Sequence, residues 1–397
     1  MTDAGVAAGP FPGNASSGPR PQASIESARD SERRSAFRVL SLDGGGMRGA
    51  YTATYLATVA QGFARQRGVR ELDLGAAFDL IVGTSVGGIV ACALAAGTPL
   101  TELVELFRSI GPRVFQRRLP GRLGIHLFVD LLRRPAAIRQ GNAALRQGLE
   151  QRFGSETLAQ VYARRRIALA ITAVELSQHR SWVFKTPHNP TTNHRDDRYR
   201  MVDVCLATSA APIYRSLAAV DHVDDGPAGY RVFADGGLWA NNPVLVGLVE
   251  ALGLARQEQE IQVFCLGTCP RPAGERIARA EVDRGLLEWR FGGLVAPLAI
   301  DAQEFAFDNM ARMLAKHLNR PCEVVRFPTK SVPADLMPAL DLDEVGPEAM
   351  DALINQARTD ADIANSRFSD PKDRGDVLVR DLFLGASTVG APRKVQT

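Results

Sequence analysis

Residues 78–96 of this 397-residue chain read FDLIVGTSVGGIVACALAA and join a predicted strand to a predicted helix. The beginning of this stretch, residues 78–82, is mostly apolar and predicts a buried strand, whereas the small and apolar residues 88–96 predict a packed helix. Between them lies GTSVG, residues 83–87. In this G-x-S-x-G pattern, glycines leave room for a serine held in a strained strand-to-helix turn. The pattern therefore presents Ser85 as a nucleophile, with the positive end of the following helix near the reacting centre.

The same alternation of strand and helix recurs along the chain, which favours a sandwich of helices around a largely parallel sheet. The predicted strands cover residues 37–42, 78–82, 167–174, 182–184, 231–234, 261–267 and 323–327. The predicted helices cover residues 47–67, 88–96, 202–209, 244–256, 285–319 and 347–366.

Composition divides the chain into three parts. Residues 1–36 are rich in glycine, proline, alanine and serine, so that they cannot bury enough apolar surface to become ordered and are predicted to form a flexible tail. Residues 37–330 are interpreted as one catalytic domain. Residues 331–397 are interpreted as a C-terminal helical extension and tail.

Charge and cysteine content exclude several classes of protein. The net charge of +3 is too small to indicate nucleic-acid binding. No apolar run reaches the roughly 18 to 20 residues that span a bilayer, and the N-terminus lacks the pattern of a secretory signal. The five cysteines are an odd number in mostly apolar surroundings, and Cys265 and Cys269 have no second pair beside them. We therefore expect a cytoplasmic protein without a metal site.

A glycine run, DGGGMRG at residues 43–49, follows the first predicted strand. The backbone N–H groups of Gly44, Gly45 and Gly46 are unshielded and could converge on the oxyanion of an acyl-transfer intermediate. Arg48 could add positive charge there or hold the loop. An alternative is that the G-x-G-x-x-G within this run binds a dinucleotide, with an acidic residue at 71 or 73 on its ribose.

A third element, ADGGL at residues 234–238, places Asp235 at the end of a predicted strand and before two glycines. A hydrolase with a Ser-Asp-His triad would need a later histidine, and His317 satisfies that order. However, His317 lies in a helical pattern where a histidine is usually a surface or cap residue. The interpretation preferred here is a dyad in which Asp235 takes the Ser85 proton directly, which requires a carboxylate made more basic by a partly dry site.

Together the three elements resemble those of the patatin-like phospholipase family, in order and at plausible spacing over residues 37–250. The resemblance implies a three-layer α/β/α fold and metal-free hydrolysis of phospholipid or other lipid acyl esters, of phospholipase A type. It also implies that Ser85 is the nucleophile, Asp235 the base, and Gly44, Gly45, Gly46 and Arg48 the oxyanion group.

A looser resemblance links FKTPH, residues 184–188, and the segment 203–212 to bacterial patatin-like effectors of anti-phage systems, which a cyclic dinucleotide activates. It implies such a nucleotide as activator and leaves open a homo-oligomer that assembles on binding it. Phosphates would need cations, although a solvated polar loop is the more common fate of such residues. The candidate cations are Lys185, His188, Arg195, Arg198 and Arg200.

Basic and apolar residues also interleave over residues 114–140. Such a segment suits an anionic bilayer surface or a lid over Ser85, and it equally suits a core helix whose arginines face water. If it meets lipid, the protein is peripheral at the inner membrane when active.

Overall fold

A mixed β-sheet forms the centre of the protein in the computed structural model, which describes residues 36–114, 125–222, 229–269, 277–285, 295–328 and 346–390 and single residues at 289, 333, 336 and 340. The side chains of residues 125–133 and 296 are not described either. Residues 1–35 of the predicted flexible tail lie outside the described residues, whereas Ala36 begins the first strand. The described residues from Ala36 onward form one compact unit.

The sheet has eight strands in the described residues, in the order β6-β7-β4-β3-β1-β8-β9, with β5 also paired to β4. The pairs β1–β3, β1–β8, β3–β4 and β8–β9 are parallel, whereas β4–β5, β4–β7 and β6–β7 are antiparallel. The bounds are β1 Ala36–Leu42, β3 Leu80–Thr84, β4 Ala168–Glu175, β5 Arg180–Lys185, β6 Ala218–Asp221, β7 Tyr230–Asp235, β8 Glu260–Leu266 and β9 Cys322–Phe327. A separate antiparallel pair joins β2 Leu72–Asp73 to β10 Ser387–Thr388.

Helices cover both faces of this sheet, because successive strand residues point to opposite sides. In β1, Leu40 and Leu42 belong to one core and Val39 belongs to the other. The three-layer α/β/α fold with a largely parallel sheet is therefore confirmed. The helices are α1 Gly49–Gln66, α2 Val86–Ala96, α3 Leu100–Val114, α4 Ile125–Phe153, α5 Leu158–Arg165, α6 Met201–Thr208, α7 Gly237–Ala240, α8 Val244–Leu254, α9 Val295–His317, α10 Pro347–Ser369 and α11 Arg374–Gly385.

The first core contains α1, α2 and α10, and the second contains α8 and α9. In the first, Phe63 of α1 stacks on Phe368 of α10 and on Phe383 of α11. Tyr51 of α1 donates a hydrogen bond of 2.6 Å to Asp360 of α10. The C-terminal helices are therefore built into the first core.

Several elements differ from the sequence expectations. The helices α3, α5, α7 and α11 and the strands β2, β6 and β10 were not predicted, and a helix was only one of the options for the segment that contains the start of α4. Pro112 and Pro135 interrupt the helical pattern of α3 and α4. The helix expected over residues 285–319 begins at Val295 in the described residues. Of the basic and apolar segment 114–140, residues 115–124 lie outside the described residues, and the structure describes the segment from residue 125 onward as helix.

Candidate active site

The turn at Ser85 has the strained geometry that its sequence predicts. Ser85 follows β3 directly, precedes α2, and has φ 55° and ψ −126°, a conformation that L residues rarely adopt. A Cβ at Gly83 would lie 2.5 Å from the carbonyl oxygen of Gly87, and a Cβ at Gly87 would lie 2.4 Å from that of Leu42. The two glycines are therefore required by close backbone contacts, which allow the turn to lie against the end of β1.

Asp235 ends β7, which pairs with β4 next to the strand that carries Ser85. The Ser85 hydroxyl donates a hydrogen bond of 2.7 Å from Oγ to Asp235 Oδ2. The other carboxylate oxygen, Oδ1, accepts a 2.7 Å hydrogen bond from the backbone N–H of Gly237. Ser85 and Asp235 are 8% and 6% exposed, so that the pair is largely shielded from water but keeps a small accessible surface. The geometry is that of a nucleophile in direct contact with its base.

Burial raises the pKa of Asp235 from 3.8 to about 6. The N–H of Gly237, the hydroxyl of Ser85 and the charge of Arg215 all act in the opposite direction. Arg215 is itself buried, which lowers its pKa to about 10, and it donates a 2.8 Å hydrogen bond to Asn142 Oδ1. Asp235 is therefore a stronger base than an exposed aspartate while still ionised at neutral pH.

Three threonines stabilise the Ser85 turn by hydrogen bonds. The backbone N–H of Ser85 donates a 2.9 Å hydrogen bond to Thr208 Oγ1, at the end of α6. The hydroxyl of Thr84 lies 2.7 Å from that of Thr172 on β4 and donates to the carbonyl oxygen of Ala240. Sequence reasoning missed Arg215, Thr208 and Thr172, because each is a single polar residue without a motif of its own.

The glycine loop lies against Ser85, since a Cβ at Gly44 would be only 3.3 Å from the Ser85 Cβ. The N–H of Gly44 donates to the carbonyl oxygen of Asn241 at 2.9 Å and is thereby occupied. The N–H groups of Gly45 and Gly46 have no acceptor among the described residues. Arg48 is buried and donates to the carbonyl oxygens of Gly45 and Cys269, so that it holds the loop in place.

A second support comes from α9, which packs over the loop after Asp235. Gln303 Oε1 accepts a 2.7 Å hydrogen bond from the backbone N–H of Asn241. The side-chain amide of Asn241 donates to Glu304 and to the carbonyl oxygen of Gly44, both at 3.4 Å. Asn241 therefore connects α9 to the glycine loop.

The alternatives to a dyad find no support in this geometry. His317 is exposed on the last turn of α9, and no histidine of the described residues hydrogen-bonds to Ser85 or Asp235. A dinucleotide fold would need the acidic residue on a strand beside β1. Instead Asp73 lies on β2, outside the main sheet, and pairs with Arg165.

The candidate activator-binding residues lie around β5 and the turn after it, where most are paired within the chain. Lys185 and His188 both contact Glu250 of α8. Arg195 bonds Asp196 and stacks 3.9 Å above the Trp182 ring, and Arg200 bonds Asp203 at 2.8 Å. Arg198 is exposed. Their role in binding an activator stays a prediction.

Metal-ligating groups and membrane-spanning helices are both absent from the described residues. They contain no group of three histidine, cysteine, aspartate or glutamate side chains arranged to hold a metal ion. None of their helices combines the length and apolar character needed to cross a bilayer.

Comparisons with known proteins agree with this site. A family profile described as patatin-like phospholipase matches residues 40–248. A cGAMP-activated phospholipase from Pseudomonas aeruginosa is 40% identical over 280 residues, which cover 70% of this chain and 74% of that protein. Proteins of the same description from Escherichia coli and Vibrio cholerae are 39% and 36% identical, over 55% and 58% of their own lengths. The chain belongs to the patatin-like phospholipase family.

Proposed function

We propose that this chain hydrolyses acyl esters of membrane phospholipids, with Ser85 as the nucleophile and Asp235 as its base. The observation that carries the proposal is the 2.7 Å hydrogen bond between Ser85 Oγ and Asp235 Oδ2, at a strained turn beside the glycine loop. Both side chains are nearly buried, and the carboxylate has a raised pKa of about 6. A base of that strength next to a serine suits acyl transfer near neutral pH.

In the first half of the reaction, Ser85 Oγ attacks the acyl carbonyl carbon while its proton passes to Asp235 Oδ2. The carbonyl oxygen becomes an oxyanion, which the N–H groups of Gly45 and Gly46 stabilise. The intermediate then breaks its bond to the alcohol oxygen. The departing lysophospholipid takes the proton from Asp235, and the acyl group stays on Ser85 as an ester.

In the second half, a water molecule attacks the acyl-serine carbonyl and gives its proton to Asp235. The oxyanion forms again at the glycine loop. Collapse of this intermediate breaks the bond to Ser85 Oγ, which recovers the proton from Asp235. A fatty acid leaves, and the dyad returns to its starting state.

The outward face of α9 supports contact with a membrane surface. Phe305 is 73% exposed, in a row of exposed apolar residues over about four helical turns. The same helix bonds Asn241 next to the dyad through Gln303 and Glu304, which are partly buried. A lipid surface that covers this row would therefore lie close to Ser85, as a peripheral lipase acting on the inner membrane from the cytoplasm requires. The row comprises Leu298, Phe305, Met310, Met313 and Leu314.

We also propose that a cyclic dinucleotide activates the enzyme, as the output of an anti-phage signal. Three relatives at 36% to 40% identity are described as cGAMP-activated phospholipases, which supports extending that control to this chain.

The test is release of fatty acid from phosphatidylglycerol and phosphatidylethanolamine vesicles, with and without cGAMP. Wild type, Ser85→Ala and Asp235→Asn are compared at equal concentration. We expect release only from the wild type, and an increase when cGAMP is added. Equal release without the nucleotide would refute activation alone, whereas release by Ser85→Ala would refute the assigned nucleophile.

A further inference from the structure

A cavity of about 260 Å³ lies away from the Ser85 turn, between α1, β9 and the two C-terminal helices α10 and α11. Its wall includes the apolar side chains of Phe327, Phe368 and Val379. It also includes three arginines, at 312, 326 and 367, and Tyr55. A cavity lined by both aromatic and cationic side chains matches a ligand that has a flat ring and an anionic group.

Two polar groups in this wall have no hydrogen-bond partner, and both are donors. The hydroxyl of Tyr55 is fully buried and has no acceptor. Nη2 of Arg326 is likewise buried and without an acceptor, although the Nε and Nη1 groups of the same side chain are bonded. Burial raises the pKa of Tyr55 above its usual value, so that the phenol keeps its proton. Unmatched buried donors are rare in proteins and call for an explanation.

The acidic groups in the wall, by contrast, already have donors. Asp360 accepts hydrogen bonds from Tyr51 and Gln356, and Asp376 accepts from Arg367. Asp373 accepts from the N–H of residue 376 at the start of α11, and Glu323 pairs with Arg374. The unmatched side-chain groups of the described wall therefore require acceptors, which an anion supplies and a cation does not.

We propose that this cavity is a binding site for the phosphoryl group of a nucleotide, which accepts hydrogen bonds from Tyr55 Oη and Arg326 Nη2 while the base of the nucleotide packs against apolar residues of the wall. The proposal rests on the proposed function, since it gives the activating cyclic dinucleotide a place to bind. A phosphate has several acceptor oxygens and a charge that a guanidinium matches well, so one such group can satisfy both donors.

The position of Arg326 connects the cavity to the active site. Its Nη1 donates a 2.6 Å hydrogen bond to Asp43 Oδ2, and Asp43 immediately precedes the glycine loop. Its Nε donates a 2.7 Å hydrogen bond to Asp308 of α9, the helix that supports Asn241. A phosphate that binds Nη2 would therefore fix a side chain that is bonded both to the residue before the glycine loop and to the helix that supports Asn241.

Tyr55→Phe is the variant that isolates this site, because it deletes only the unmatched hydroxyl. Tyr51→Phe is the matched control, since Tyr51 stacks on Tyr55 at 6.2 Å and its hydroxyl is satisfied by Asp360. Binding of cGAMP is measured by calorimetry, and hydrolysis of a soluble short-chain ester checks that the Ser85 site is formed. We expect the affinity for cGAMP to fall about tenfold or more in Tyr55→Phe, with the affinity of Tyr51→Phe close to that of the wild type.

A second arm uses inorganic phosphate and the thermal midpoint of unfolding, so that the site is tested even if cGAMP neither binds nor activates the wild type. Phosphate should raise the midpoint of the wild type and of Tyr51→Phe more than that of Tyr55→Phe. Equal cGAMP affinity in the wild type and Tyr55→Phe would overturn the proposal, and so would an equal phosphate response where cGAMP does not bind. If cGAMP fails to activate the wild type while phosphate still stabilises the wild type more than Tyr55→Phe, cGAMP is refuted as the activator and the phosphate site is retained.

Discussion

Replacing the catalytic base by its amide should make this protein more stable while it abolishes hydrolysis. Asn at position 235 has the shape of Asp235, and its side-chain oxygen can still accept the hydrogen bond from the N–H of Gly237. What the substitution removes is a buried negative charge. Active sites often hold such groups at a cost to stability, because function requires them.

The size of the effect follows from the pKa of Asp235, which burial raises from 3.8 to about 6. A carboxyl whose pKa is raised in the folded state contributes most stability below 3.8 and loses it as the pH rises through about 6. At 1.36 kcal/mol per pH unit, that interval corresponds to about 3 kcal/mol. The gain of Asp235→Asn over wild type should therefore be up to about 3 kcal/mol at pH 8, and about half of that at pH 5.

The assay is urea unfolding followed by tryptophan fluorescence, at several pH values between 5 and 8, for wild type and Asp235→Asn. Burial also raises the pKa of Asp43 to about 7, but Asp43 is common to both proteins, so its contribution cancels in the difference. Ser85→Ala serves as the control that is inactive without removing a charge. If Asp235→Asn were less stable than wild type by a constant amount at every pH, the reasoning on a desolvated carboxylate would be refuted.

Three further predictions concern the dyad, the threonine that supports it and the exposed apolar residues of α9. The rate kcat/KM on a soluble ester should fall tenfold per pH unit below about 6, as Asp235 takes up a proton, and a flat acid limb would contradict this. Thr208→Val should lower both kcat and the unfolding midpoint, because it leaves the buried N–H of Ser85 without its acceptor, which costs about 1 to 3 kcal/mol. Unchanged values would show that Thr208 does not support the Ser85 turn. Phe305→Asp should reduce vesicle binding in a flotation assay and preserve soluble-ester hydrolysis, whereas equal flotation would exclude α9 from the membrane contact.

The nucleophile and its turn could be predicted because their signals are local. A strand, a glycine-flanked serine and a small-residue helix occupy adjacent positions, and Ser85 has the positive φ that this pattern requires. The pairing of Ser85 with Asp235 joins residues 150 positions apart. The sequence favoured a direct contact between Ser85 and Asp235 but could not exclude a histidine between them, because His317 also had the right chain order.

Other parts of the site could not be predicted, because they depend on contacts without a sequence pattern. Arg215 is one arginine between Tyr214 and Ser216, and only the fold places its charge near Asp235. The glycine run suggested three equivalent N–H donors, but the carbonyl oxygen of Asn241 occupies that of Gly44. Arg326 reaches Asp43 across 283 positions, so the connection between the cavity and the glycine loop exists only in the folded chain.

Labelling with a fluorophosphonate, followed by peptide mapping, tests the Ser–Asp dyad most directly. The reagent reacts with a serine only when a neighbouring base activates it. The dyad predicts a single modified residue, Ser85, in the wild type, with a labelling rate that falls as the pH drops through about 6 and is lost in Asp235→Asn. Modification at another serine, or labelling of Asp235→Asn at the wild-type rate, would contradict it.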